Sequence, residues 1–178
     1  MTKYIPNILT LSRFVLIPVI AWFLFKDNYL IALAVIVLSC LTDILDGHVA
    51  RKFNVTSNFG KLMDPLADKF TQIALIAVLT MKEIIGIWVL LVLVIKDFIM
   101  VVGGSLLYKR DLVVSSNYWG KSATVAIYIA IFISMLSKQF NWNPDIDNYF
   151  YYIAILISLF AFVTYIKLYG KKYLKKVV

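Results

Sequence analysis

The residues best suited to chemistry lie between Asp43 and Asp68. They read Asp43-x-x-Asp46-Gly47-x-x-Ala50-Arg51, eight further residues, then Gly60-x-x-x-Asp64-x-x-x-Asp68. Four of the ten acidic residues of this 178-residue chain fall here, between strongly apolar runs where an uncompensated charge is expensive. Helical residues three and four apart share a face, so Asp43 pairs with Asp46 and Asp64 with Asp68. Two helices joined by a short loop and packed as antiparallel neighbours bring both pairs to one point. Ionised carboxylates about 4 Å apart repel by roughly 4 kcal/mol at an effective dielectric near 20, so such a cluster needs cations. The donors are all oxygens, apart from His48 as a lone nitrogen, and they select hard divalent ions, Mg2+ or Mn2+, over zinc. Two ions sharing carboxylates suit phosphoryl chemistry, binding phosphate oxygens and the leaving group while one carboxylate takes a proton. Gly47 and Gly60 let a bulky phosphate approach the backbone, and Arg51 can hold an anion by a bidentate contact. The residues by themselves also admit ion transport, proton relay or structural pairing with lysines. Prenyl transfer at an aspartate-rich site would call for more helices than this length supplies.

The elements that must position these groups are transmembrane. The chain is 62% hydrophobic and 16% charged, with a mean hydropathy of +0.85, which is integral-membrane composition. Its apolar runs approach the roughly 20 residues of a spanning helix and lack the alternation of barrel strands. The expected fold is therefore all-α, a bundle of six transmembrane helices over 8–25, 29–50, 59–80, 84–108, 118–136 and 149–169, in one domain covering 1–178. Residues 1–7 are expected along the interface, 138–148 as a polar connection, and Pro65 in the first turns of the third helix. The first run is too long for a signal peptide and has no small-residue cleavage site, so it is read as a retained span. Cys40 can form no intrachain disulfide and is read as packing.

The net charge of +8 follows membrane orientation and requires no nucleic acid. Six spans place both termini on one side, together with Lys3, Arg51, Lys52, Lys61, Lys109, Arg110, Lys121 and the C-terminal lysines. The opposite loops hold only Lys26, Lys82 and Lys138. The bias predicts a multi-pass protein of the cell membrane with its termini and the aspartates on the cytosolic side.

The aspartate stretch resembles the signature of the CDP-alcohol phosphotransferase family, matching every fixed position with the right gap. The resemblance implies transfer of a phosphatidyl or similar phospho-alcohol group from a CDP-linked donor, such as CDP-diacylglycerol, to an alcohol, with release of CMP. By similarity Asp43, Asp46, Asp64 and Asp68 are ligands of two Mg2+ or Mn2+ ions, Asp68 is also the general base, and Gly47, Ala50, Arg51 and Gly60 line the CDP pocket. A homodimer is also implied.

Pro6-Asn7-x-Leu9-Thr10-x-x-Arg13 and Gly120-Lys121-x-x-Thr124 resemble the branch of the family whose acceptor is glycerol 3-phosphate, and add Asn7 and Thr10 to the CDP pocket. A phosphorylated acceptor needs cations beside the metals, a role open to Lys61, Arg110 and Lys121. Lys96-Asp97 departs from the Arg-Glu of that branch and looks more like the cardiolipin-forming one, whose acceptor is phosphatidylglycerol. A place on the same cavity as Asp43, whose depth Asp97 shares, and a buried structural ion pair to another helix are both open to these two residues, and neither is assigned to catalysis.

Overall fold

The computed structural model describes the backbone of residues 5–52, 58–108, 118–142 and 145–177, and the side chains of 15–41, 68–103, 118–142 and 146–168. Among these residues there are six helices: α1 (Ile5–Phe25), α2 (Tyr29–Lys52), α3 (Asn58–Met81), α4 (Ile87–Tyr108), α5 (Tyr118–Phe140) and α6 (Asp145–Val177). The apolar runs predict their number and order, while the ends differ from expectation. The first helix takes in Pro6 and Asn7, where an interfacial segment was expected. Residues 138–148, expected as a connection, are mostly helical, because α5 continues to Phe140 and α6 begins at Asp145. With α3 starting at Asn58, Pro65 stands in its third turn, where its missing N–H removes a helical hydrogen bond.

Local chemistry explains the stops. Asp27, Glu83 and Asn141 have φ of 59°, 55° and 50° and follow α1, α3 and α5. Behind α1 the Asp27 N–H donates to the Leu24 carbonyl and the Asn28 N–H to that of Phe23; behind α3, Glu83 donates to Thr80 and Ile84 to Leu79. These paired bonds form Schellman turns, which satisfy the orphan carbonyls at a helix end through one left-handed residue. Asn28 then caps α2, its carbonyl accepting the Ala32 N–H.

The chain divides into two compact units, 1–84 with 138–140, and 85–137 with 141–178. In the first, α1 packs against both α2 and α3, with Ile20, Leu24, Ala32, Ile36, Leu75, Ile76 and Leu79 buried. Among the described residues α1 is thus the helix common to the other two; direct α2–α3 packing, expected from the short loop, falls outside them. In the second unit α4 packs against α6, and Val89, Leu93, Ile127, Ile131, Met135 and Tyr151 are buried. Trp119 of α5 meets Phe160 of α6 edge-on at 4.8 Å, and Trp88 of α4 stacks on Tyr152 at 5.0 Å.

Beside these apolar cores, several polar side chains are buried and many large apolar ones are exposed. Gln72, Asp97, Ser134, Ser137, Asp147 and Ser158 are inside, while Val15, Trp22, Leu91, Phe98, Leu156 and Phe160 are exposed. Polar groups turned inward and apolar ones outward suit a hydrocarbon solvent. Cys40, expected in packing, is exposed on α2. Two described helical stretches, Tyr118–Phe140 and Ile146–Leu168, are long and apolar enough to cross a membrane; Val15–Phe25 and Tyr29–Leu41 are shorter apolar pieces.

Candidate active site

One end of the first unit is fastened by a single side chain. Lys82, just past α3, donates to the carboxylate of Asp27 and, at 2.8 Å, to the Leu24 carbonyl at the end of α1. The Tyr29 hydroxyl donates to the same Asp27 oxygen at 2.7 Å, and the Lys82 ammonium lies 5.3 Å from the Tyr29 ring centre. The hydrogen bond from Lys82, then that from Tyr29, holds the Asp27 carboxyl below the ordinary carboxylate range. Burial alone would lower the Lys82 ammonium, but its bonds with Asp27 and Tyr29 outweigh it and the net shift is upward. The end of α1, the start of α2 and the end of α3 therefore meet at one level.

That level is a ruler for the aspartates. At 1.5 Å per residue, Asp43 and Asp46 lie about 24 and 28 Å along α2 from Asp27. Counted back along α3 from Lys82, Asp68 and Asp64 lie about 21 and 27 Å away. On α1, Thr10 and Asn7 are about 21 and 25 Å from Leu24. Counted along their own helices, the six positions lie about 21–28 Å from that end of the unit. Gly47, Ala50 and Arg51 follow on the last turns of α2, and Gly60 and Lys61 occupy the first turn of α3.

Asp68 is exposed. The side chains of Asn7, Thr10, Asp43, Asp46, Gly47, His48, Ala50, Arg51, Gly60, Lys61 and Asp64 lie outside the described residues, and so does Arg110 altogether. Among the described residues no three His, Cys, Asp or Glu groups cluster. Lys121 is exposed on α5, in the second unit. Beside it, a Cβ built on Gly120 would meet nothing within 4 Å, so packing within the chain does not demand the glycine. The Thr124 hydroxyl donates back to the Gly120 carbonyl at 3.2 Å.

At Lys96 and Asp97 the structure pairs the two residues with each other, where the sequence left open an ion pair to another helix. Asp97 is 5% exposed, and the Lys96 ammonium lies 2.9 Å from its carboxylate. The same ammonium donates to the Ser158 hydroxyl on α6 at 2.8 Å. Ser158 escaped the sequence reading; its only signal was a small polar residue amid the apolar run of α6.

A family model described as CDP-alcohol phosphatidyltransferase matches residues 3–164. The chain is 32% identical over 165 residues to the CDP-diacylglycerol--glycerol-3-phosphate 3-phosphatidyltransferase of Aquifex aeolicus (strain VF5), covering 90% of this chain and 93% of that one. It is 30% identical over 142 residues to the Bacillus subtilis (strain 168) protein of the same name, covering 71% and 74%. It is also 32% identical over 155 residues to the cardiolipin synthase (CMP-forming) of Streptomyces coelicolor (strain ATCC BAA-471 / A3(2) / M145), covering 82% and 71%.

Proposed function

We propose that this chain, which belongs to the CDP-alcohol phosphatidyltransferase family, transfers a phosphatidyl group from CDP-diacylglycerol to glycerol 3-phosphate and releases CMP. The observation that carries the reading is the match of the family model to residues 3–164, a span that contains both aspartate pairs. Helices of 21 to 24 residues are about 31–36 Å long, enough to cross a hydrocarbon core of about 30 Å. With α6 they make six spans, with both termini and the site on the cytosolic side by the lysine and arginine bias. The clamp then sits at the outer interface, and the aspartates about 21–28 Å below it lie in the inner part of the core, a few ångströms short of the inner headgroup layer. A lipid donor carries its diphosphate in that layer.

The donor set fits hard divalent ions. Asp43, Asp46, Asp64 and Asp68 offer only carboxylate oxygens, on two helices. Two Mg2+ or Mn2+ ions held there would neutralise the diphosphate and stabilise charge on the departing phosphate. Arg51, one to two turns beyond Asp46, binds phosphate oxygens of the CDP moiety by its planar fork. Gly47, Ala50 and Gly60, with Asn7 and Thr10 on α1, leave room for the nucleotide. Asp68, exposed on α3, accepts the proton of the acceptor hydroxyl. The acceptor oxygen forms its bond to the lipid-side phosphorus as the bond to the bridging oxygen breaks, and CMP departs with that electron pair. Lys61, Arg110 and Lys121 are the cations assigned to the acceptor phosphate. The working form is a homodimer.

The test is CMP release by purified protein with CDP-diacylglycerol and Mg2+ or Mn2+. Release is expected with glycerol 3-phosphate; no release with any of glycerol 3-phosphate, phosphatidylglycerol, inositol phosphate or serine refutes the reading. The likeness to a CMP-forming cardiolipin synthase favours a second acceptor, phosphatidylglycerol, and a preference for it in the same assay would decide for that alternative. No observation now carries the transport reading.

A further inference from the structure

The last turns of α6 belong to no part of the site described above. The helix runs unbroken from Asp145 to Val177, 33 residues or about 50 Å, whereas its apolar stretch Ile146–Leu168 accounts for about 35 Å. Even at a tilt of 40° a helix of this length projects about 38 Å along the membrane normal, more than the roughly 30 Å hydrocarbon core. Residues 169–177 therefore emerge at the level of the lipid headgroups.

Sequence register gives that segment two sides. At about 100° per residue, positions Lys171, Lys172, Lys175 and Lys176 fall within an arc of about 140°, and Tyr173, Leu174 and Val177 fall on the remaining arc. The exposed Lys167 lies one turn before Lys171 on the same line as Lys175, carrying the cationic stripe back to the end of the apolar stretch. No acidic residue follows Asp147 in the sequence, so within α6 these five lysines have no carboxylate nearer than five turns. Membrane orientation accounts for lysines on this side of the bilayer; it does not account for their alignment on one arc of a continuous helix.

We propose that residues 167–177 of α6, with their lysine positions on one arc of the helix, form a binding surface for anionic phospholipid headgroups. Its place in the leaflet that feeds the active site rests on the topology proposed above; the binding itself does not. The surface concentrates anionic lipid, the class to which a CDP-linked donor belongs, beside the enzyme. Near an anionic surface each lysine contributes roughly a fivefold shift in binding.

Amide hydrogen exchange on the full chain in nanodiscs tests this without any donor or acceptor. In phosphatidylcholine with about 20 mol% phosphatidylglycerol, amides of 169–177 should exchange at least about fivefold more slowly than in phosphatidylcholine alone. The difference should vanish at about 1 M salt, where charges are screened beyond about 3 Å. The K171Q/K172Q/K175Q/K176Q variant should show no difference between the two lipids. Equal exchange of the wild type in both lipids overturns the proposal, as does a variant slowed as much as the wild type. Equal slowing by inorganic phosphate in phosphatidylcholine discs also overturns it, by assigning the stripe to a soluble anion. CMP release is measured separately, so failure of the transferase reading leaves the exchange result standing.

Discussion

Replacing Asp97 by Leu removes the carboxylate that lies 2.9 Å from the Lys96 ammonium and leaves that ammonium, on a side chain 11% exposed, facing Ser158. A buried ion pair is nearly neutral in stability when compared with a well-packed apolar pair, because desolvation offsets attraction, but breaking it from one side strands a charge. The single change should therefore cost about 3–5 kcal/mol. For a chain of this length that corresponds to a melting temperature lower by about 6–20 °C. The double change Lys96→Met with Asp97→Leu removes both charges at similar volume and should recover most of the loss, leaving the Ser158 hydroxyl to bond back to its own helix. Tryptophan fluorescence during thermal unfolding in one fixed detergent reads all four corners of the cycle, with Trp88 reporting from the same helix. A single variant within about 2 °C of the wild type, or a double variant no more stable than the single, refutes the structural account. CMP release adds a second readout: a double variant that melts normally but is inactive would move the pair into the chemistry.

Four shorter predictions follow from other parts of the molecule. Asp68→Asn should keep the melting temperature and lose CMP release by about 10²–10⁴-fold, the worth of a general base; near-normal turnover would remove that role. Glu83→Gly relieves a left-handed residue with φ 55° in the turn after α3 and should raise the melting temperature by about 1–4 °C, whereas a lower value would show that the Glu83 side chain matters to the turn. Gly86→Ala places a Cβ 2.5 Å from the Trp88 ring nitrogen, which must swing from its stack on Tyr152, at about 1–3 kcal/mol; unchanged tryptophan emission and stability would contradict this. Asp27, lowered by its bonds from Lys82 and Tyr29, contributes stability that is present above the ordinary carboxylate value and lost as pH falls through its lower folded value. Lys82, raised by Asp27 and Tyr29 against the effect of burial, contributes stability that is present below the ordinary lysine value and lost as pH rises through its higher folded value. The melting temperature should thus be flat between about pH 4 and pH 10 on account of this pair, and Lys82→Met should abolish the wild type's extra loss outside that window.

The six apolar runs were legible because a bilayer demands about 20 apolar residues per helix, and the aspartate spacing was legible because helical faces repeat every three to four residues. Helix ends were less so. Asn141 tolerates the left-handed conformation and Asp145 suits a first turn, so the short break between α5 and α6 had local signals, but the polar composition of 138–148 masked them. Asp27 and Glu83 are weaker stop signals than glycine; at Asp27 the conformation is also held by Lys82, which is 55 residues away in sequence. The partner of Lys96 was hidden for the same reason, since Ser158 lies 62 residues on. Charge in an apolar run announces that a partner exists; only folding says which.

The clamp and the candidate site are linked by helix geometry. A slip of α3 by one residue relative to α2 would shift Asp64 and Asp68 by about 1.5 Å and turn them by about 100° away from Asp43 and Asp46. An error of about 1 Å in a catalytic constellation can cost about 10²-fold in rate, so the register of these helices must be set somewhere. In the proposed site the aspartates themselves would be a poor choice for that task, because like charges brought together repel. At the other end, Lys82 engages Asp27 and the Leu24 carbonyl together, ties the end of α3 to the end of α1 and, through the three-residue turn 26–28, to the start of α2. On the proposed function, opposite charges at this end would fix the register of helices that carry the aspartates about 21–28 Å further along. The buried carboxylate of Asp97 carries its own lysine as its neighbour in sequence, whereas neither Asp43 nor Asp46 has a lysine or arginine within three positions. The same side chain thus serves as half of an internal pair on α4 and, on α2, has the role of metal ligand in the proposed reaction.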